Sequence, residues 1–136
     1  MTEHPRNLDS TPLLAKARVL VVEDDFLILL ELEAMLLDAG ADIAGLCRNV
    51  REALAAANGD GDVGVALLDV RLGGETVAPV ARALSERGTP FVFYTGQVDT
   101  DPTLAEWPGC RIVSKPAAPR TIVTALLEAM RLSPSS

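Results

Sequence analysis

At 136 residues, 49% hydrophobic and 23% charged, the chain suits one domain with a buried core, which argues against wholesale disorder. Twelve basic against 19 acidic residues leave a net charge of −7, so neither nucleic acid nor an anionic membrane is an expected partner. Cys47 and Cys110 lack metal-ligand spacing and read as free thiols of a reducing compartment.

Residues 1–16 are rich in Pro, Asn, Asp, Ser and Thr and read as a mobile leader, with 133–136 as a short tail. No stretch approaches the ~20 apolar residues of a spanning helix. The N-terminus lacks the apolar centre of a signal peptide, so the expectation is a cytoplasmic protein with one domain over 17–132. Val19-Leu20-Val21-Val22 is a β-branched run typical of a strand covered on both faces. Residues 26–39 follow as a helix with Leu29, Leu32 and Leu36 at helical spacing, and Gly40 is placed to end it. Residues 43–46 form a weaker second strand. Asn49 is a candidate cap for a helix with Val50, Ala53, Leu54 and Ala57 on its apolar side. A third strand covers 63–68. Thr76 is a candidate cap for the next helix, with Pro79 in its first turn and Gly88 after its end. Phe91-Val92-Phe93-Tyr94 is the fourth strand. Pro102, Pro108 and Gly109 leave room for only a short helix in 97–109. Arg111-Ile112-Val113-Ser114 is the fifth strand, and 119–132 the last helix.

This alternation predicts an α/β fold, a parallel sheet with helices on both faces. Such open sheets bind ligands beyond the carboxyl ends of their strands. Four of the five strands end there in a polar or charged group: Glu23-Asp24-Asp25, Asp69, Thr95 and Lys115. Carboxylates of the first and third strands would meet if those strands are neighbours. Two unit charges about 4 Å apart repel by roughly 4 kcal/mol at an intermediate dielectric, and a divalent cation removes that cost. Oxygen ligands favour a hard ion such as Mg²⁺. Lys115 is the one lysine outside the leader, where Lys16 lies.

Each residue also has a plainer reading. The acidic triplet could simply favour the start of the first helix, and for Asp25 this is preferred. Lys115 could be a solvated loop lysine. Trp107 reads as packing. Phe26, Leu27 and Leu30 are either extra core or a patch for a partner's helical bundle. His4, in the leader, is the only histidine, so histidine catalysis inside the fold is not expected.

Four segments together carry a family likeness: Val21-Val22-Glu23-Asp24-Asp25-Phe26, Leu67-Leu68-Asp69-Val70-Arg71, Tyr94-Thr95-Gly96 and Ser114-Lys115-Pro116. Over residues 17–132 the chain resembles the receiver domain of two-component response regulators, similar in outline to the chemotaxis response regulator. The resemblance implies a flavodoxin-like, doubly wound, five-stranded sheet of order 2-1-3-4-5. It implies that Asp69 accepts a phosphoryl group from a sensor histidine kinase or a phosphotransfer protein. Asp24, Glu23 (through water), Asp69 and the backbone carbonyl of Arg71 would hold Mg²⁺ or Mn²⁺. Lys115 would pair with Asp69 and then with the phosphoryl oxygens, Thr95 would bond the phosphoryl group, and Pro116 would follow a cis peptide bond.

The sequence departs from the family pattern in the Leu72-Gly73-Gly74-Glu75 loop, which lacks proline, in Ile112 at the position of a switch aromatic, in Ala117 after Lys-Pro, and in the short fourth helix. The loop and the weak helix look like a subgroup of single-domain bacterial receivers. The expected protein is thus a stand-alone phosphoacceptor, not an enzyme, acting by phosphorylation-dependent binding or as a phosphate shuttle or sink. Its downstream partner is unassigned, and a second copy docking through the last strand and helix is a further candidate. Two alternatives are a receiver fold that takes no phosphate and an aspartyl phosphatase. Arg71 stands where haloacid-dehalogenase-like hydrolases want a second acid, which counts against the phosphatase.

Overall fold

The structure, a computed structural model, describes residues 13–96 and 101–131. The leader's first twelve residues with His4, residues 97–100, and the tail with Leu132 lie outside the described residues. In chain order the elements are β1 (Arg18–Val22), α1 (Phe26–Asp38), β2 (Asp42–Cys47), α2 (Val50–Asn58), β3 (Val65–Leu68), β4 (Arg71–Leu72), β5 (Glu75–Thr76), α3 (Ala78–Glu86), β6 (Phe91–Thr95), α4 (Pro102–Ala105), β7 (Arg111–Ser114) and α5 (Pro119–Arg131). Five strands form one parallel sheet in the order β2-β1-β3-β6-β7. This is the expected flavodoxin-like 2-1-3-4-5 order, once the β4–β5 hairpin is set aside.

Side-chain alternation along each strand divides the core into two layers. Val19 and Val21 of β1 and Val65 and Leu67 of β3 face Leu29, Leu32 and Leu36 of α1 and Ile122 and Leu126 of α5. Leu20 and Val22, with Ala66 and Leu68, face the opposite way, onto Ala53 of α2, Val80 and Leu84 of α3 and Leu104 of α4. Strands apolar on both faces are therefore covered on both faces.

Local chemistry explains the element ends. Asp25 caps α1, its Oδ1 accepting from the N–H groups of Leu27 (3.0 Å) and Ile28 (3.1 Å). Gly40, at φ 91°, closes the same helix. Its N–H donates to the Leu37 carbonyl, and that of Ala41 to Leu36. Asn49 caps α2 through a 2.8 Å bond from the Glu52 N–H. Trp107 is packing: its ring meets Phe91 and Phe93 edge-on and its Nε1–H donates to Ser85 Oγ.

Three expectations need correction. The cap of α3 falls on Val77, without a side-chain bond, while Thr76 Oγ1 accepts from the Ala78 N–H one position early. The third strand begins at Val65, not 63. The packed chain begins before residue 17: Leu14 is buried at 1% exposure in the α1/α5 layer, its N–H donating to the Ala39 carbonyl. Leu14 belongs to a short Leu13-Leu14-Ala15 run at the end of the polar leader, and within that run it is the buried residue. Leu14→Ala should therefore lower unfolding stability by about 2–3 kcal/mol, the low end for large-to-small core changes. Urea denaturation checks this; a leader without a packing role predicts no change.

Candidate functional site

The ladder of the sheet continues one residue past the strands and fixes the site. The Asp69 N–H donates to the Val22 carbonyl, the Glu23 N–H to Cys47 and the Lys115 N–H to Thr95, each at 2.9 Å. Because Val22 pairs with Leu68, the next residues, Glu23 and Asp69, emerge side by side. Lys115 reaches across to both, its Nζ lying 2.8 Å from Asp69 Oδ2 and 2.7 Å from Glu23 Oε1. The same ammonium stands 5.6 Å from the centroid of the Tyr94 ring, whose hydroxyl accepts from the Ala117 N–H. The Lys115–Pro116 peptide bond is cis, as the resemblance implies.

Glu23, Asp24 and Asp69 each place a carboxylate oxygen within 4.8 Å of the other two. One ammonium against three carboxylates leaves two negative charges in surplus when all are ionised. Glu23 is buried at 1% exposure, and this burial pushes its carboxyl up to about 7 despite Lys115 and the Asp25 N–H. Its Oε1 has ion-pair proximity to Lys115 but no aligned hydrogen bond, while Oε2 accepts from the Asp25 N–H at 3.1 Å. Burial alone would depress the Lys115 ammonium, but its pairing with Asp69 and Glu23 outweighs that and raises it, so it stays charged. Three converging carboxylates, hard oxygen donors with surplus negative charge, fit a divalent cation.

The structure brings together four of the six expected site residues, Glu23, Asp24, Asp69 and Lys115. Thr95 is buried at the end of β6, whose last pair is Thr95 with Ser114, next to Lys115. Arg71 begins the hairpin; its N–H makes a long 3.4 Å contact with Asp69 Oδ1. Its guanidinium turns away, Nε lying 2.6 Å from Asp101 Oδ2. Asp101 is buried and caps α4, accepting at Oδ1 from the Thr103 N–H. Burial pushes the Asp101 carboxyl up, but the Thr103 N–H and the Arg71 guanidinium outweigh it and hold it below the usual carboxylate range. Burial raises the free thiols Cys47 and Cys110 to about 11 and about 12, so both stay protonated.

Three participants escaped the sequence reading. Gly73, at φ 64° in the β4–β5 turn, donates its N–H to Asp24 Oδ2 at 2.7 Å. Arg48 donates to the Asp24 carbonyl from Nη2 (3.1 Å) and Nε (3.4 Å). Asp101 pairs with Arg71 from 30 residues away. Only Gly73-Gly74 between short polar-apolar segments offered a local clue, that of a two-residue hairpin turn.

No family model and no curated protein sequence matches the chain. Solved structures do. SdrG from Sphingomonas melonis Fr1 is 34% identical, over 86% of this chain and 98% of its own, with a TM-score of 0.72. The response regulator receiver protein of Sinorhizobium medicae WSM419 is 22% identical, over 88% of this chain and 98% of its own, with a TM-score of 0.76. The REC domain of the Erythrobacter litoralis response regulator PhyR is 25% identical, over 90% of this chain and 96% of its own, with a TM-score of 0.72. No helix among the described residues is long and apolar enough to cross a membrane.

The Arg71–Asp101 pair has a pH signature. A carboxyl held low in the folded state adds stability above its unfolded pKa of about 4 and loses it as pH falls through the folded value. Asp101→Asn should therefore destabilise the protein at pH 7 by about 1–2 kcal/mol, as expected for a charge-assisted bond to a half-exposed arginine. The gap in thermal midpoint between variant and parent should narrow in melts taken below about pH 4. A gap constant down to pH 2 would assign Asp101 no charge role.

Proposed function

The chain belongs to the receiver domains of response regulators, and from that membership we propose that it is a Mg²⁺-dependent phosphoacceptor with Asp69 as the nucleophile. The observation that carries this reading is the convergence of Glu23, Asp24, Asp69 and Lys115 at one sheet edge. Asp69 Oδ2 is engaged by Lys115, whereas Oδ1 has, among the described residues, only the 3.4 Å amide contact and is the better placed oxygen to attack. An Asp69 oxygen bonds to the phosphorus of a phosphohistidine donor as the phosphorus–nitrogen bond breaks. The imidazole nitrogen leaves with the bonding pair, giving an aspartyl phosphate. Asp24, Asp69, the Arg71 carbonyl and, through water, Glu23 would hold Mg²⁺, which would neutralise charge on the phosphoryl oxygens. Lys115 then moves its ammonium from the Asp69 carboxylate to a phosphoryl oxygen, and the buried Thr95 hydroxyl bonds the arriving group.

A histidine kinase or phosphotransfer protein is the partner this chemistry requires. Phe26, Leu27 and Leu30, 51%, 71% and 40% exposed at the start of α1, give its helical bundle an apolar seat beside the pocket. Of the two readings left open by the sequence, extra core or docking patch, this exposure supports the patch.

Incubation with a small acyl phosphate and Mg²⁺, read by intact-protein mass, should add one phosphoryl group to the parent chain. Asp69→Asn should take none, and chelation of Mg²⁺ should suppress uptake in the parent. Equal labelling of Asp69→Asn would remove Asp69 as nucleophile. A parent that takes no phosphate from either the acyl phosphate or a phosphorylated kinase would favour a non-phosphorylated interaction module. Thr95→Ala should still be labelled but should lose most of the phosphorylation-induced change in amide chemical shifts across β6 and α4. An undiminished change would take Thr95 out of the response.

A further inference from the structure

The three acids are not held alike. Glu23 and Asp69 hang from the extended ladder by their own N–H groups. Asp24 takes no part in the ladder. It is half-buried on the β1–α1 connection and is gripped from two other elements. Gly73 donates to its Oδ2 at 2.7 Å, and Arg48 sets two N–H groups on its carbonyl oxygen at 3.1 and 3.4 Å. Arg48, just past the end of β2, is itself fixed. Its main-chain N–H donates to Glu52 Oε1 at 2.9 Å. Its guanidinium lies 5.3 Å from the centroid of the Phe26 ring, two residues beyond Asp24. The planar fork thus sits between the Asp24 carbonyl and the Phe26 ring at the start of α1, while the Arg48 main chain is tied to α2, an arrangement that a point-charge ammonium reproduces less well.

We infer that Arg48 is a positioning residue: by holding the main chain of Asp24 it keeps that carboxylate turned toward Glu23 and Asp69, and so sets the pocket's affinity for a divalent cation. The inference rests on the reading of the pocket as the Mg²⁺ site. It opposes simple electrostatics in sign. A cationic side chain beside an acidic pocket repels a cation, so its removal should tighten Mg²⁺ binding if charge were all that mattered. Loss of a group that orients a ligand weakens binding instead, by ~10–100-fold in other metal sites.

The test is calorimetric titration of Mg²⁺ into the full chain and its Arg48→Gln and Arg48→Lys variants at fixed ionic strength. Arg48→Gln should weaken binding about tenfold, the low end of that range because Arg48 is exposed. Arg48→Lys, which keeps the charge and loses the fork, should fall between Gln and the parent. The Gly73 amide resonance should shift in Arg48→Gln before any Mg²⁺ is added, because the carboxylate it binds has turned. Unchanged or tighter binding by Arg48→Gln overturns the inference and leaves the phosphoacceptor reading standing. A parent chain that binds no Mg²⁺ sinks that reading and the inference with it. Should Arg48→Gln not fold, Arg48→Lys decides: parent-like affinity overturns the inference, and weakened affinity supports it.

Discussion

Lys115 is shared by Asp69 and Glu23, and one ammonium cannot neutralise two carboxylates with a third close by. The pocket is therefore built with a charge deficit. Its acids cannot spread apart, because backbone bonds to Val22 and Cys47 hold Asp69 and Glu23 in the frame of the sheet. The sheet's rigidity is what makes the imbalance durable. In a loop, repulsion of a few kcal/mol would simply separate the groups. Here it persists at one sheet edge, where a divalent cation would relieve it.

The packing explains why the frame holds. Val19 to Val22 and Val65 to Leu68 are almost fully buried, with helices on both faces. Shifting either strand by one residue would exchange its two faces and set each side chain against the helices of the wrong layer. Register, and with it the alignment of Glu23 and Asp69, is thus enforced by about eight apolar side chains that touch no ligand. Core and chemistry are separate in composition yet inseparable in geometry.

Much of this was legible from the residues. Continuous β-branched runs marked the central strands, and acids ending such runs marked the site, because an aspartate closing an apolar strand has little structural reason to be there. Gly40 and Asn49 acted as expected, since capping is a local matter between near neighbours. What escaped was long-range. Arg48 and Asp24, Arg71 and Asp101, and Gly73 and Asp24 are 24, 30 and 49 residues apart, and no periodicity encodes such pairs. The hairpin was hidden for another reason: two strands of two residues each are too short to show alternation. Leu14 was missed because the average composition of residues 1–16 is polar, which hides the short Leu13-Leu14-Ala15 run at its end.

Glu23 and Asp24, adjacent in sequence, differ in stiffness. Glu23 is buried, tied to the ladder, paired with the Lys115 ammonium and hydrogen-bonded by the Asp25 N–H, so it has almost no freedom to adjust. Asp24 is half-buried and held by groups on two other elements, Arg48 and Gly73. Ordering a side chain costs rotamer entropy, on the order of 1 kcal/mol, when a ligand arrives. That cost falls mainly on Asp24 and not on Glu23, whose geometry is already fixed by folding. A half-buried acid with prearranged restraints can adapt by small rotations to an ion's preferred distances, which a fully buried one cannot. The fold thus supplies one rigid and one adjustable carboxylate on adjacent residues. The difference arises because the chain leaves the ladder between Glu23 and Asp24, one residue before Asp25 starts the helix.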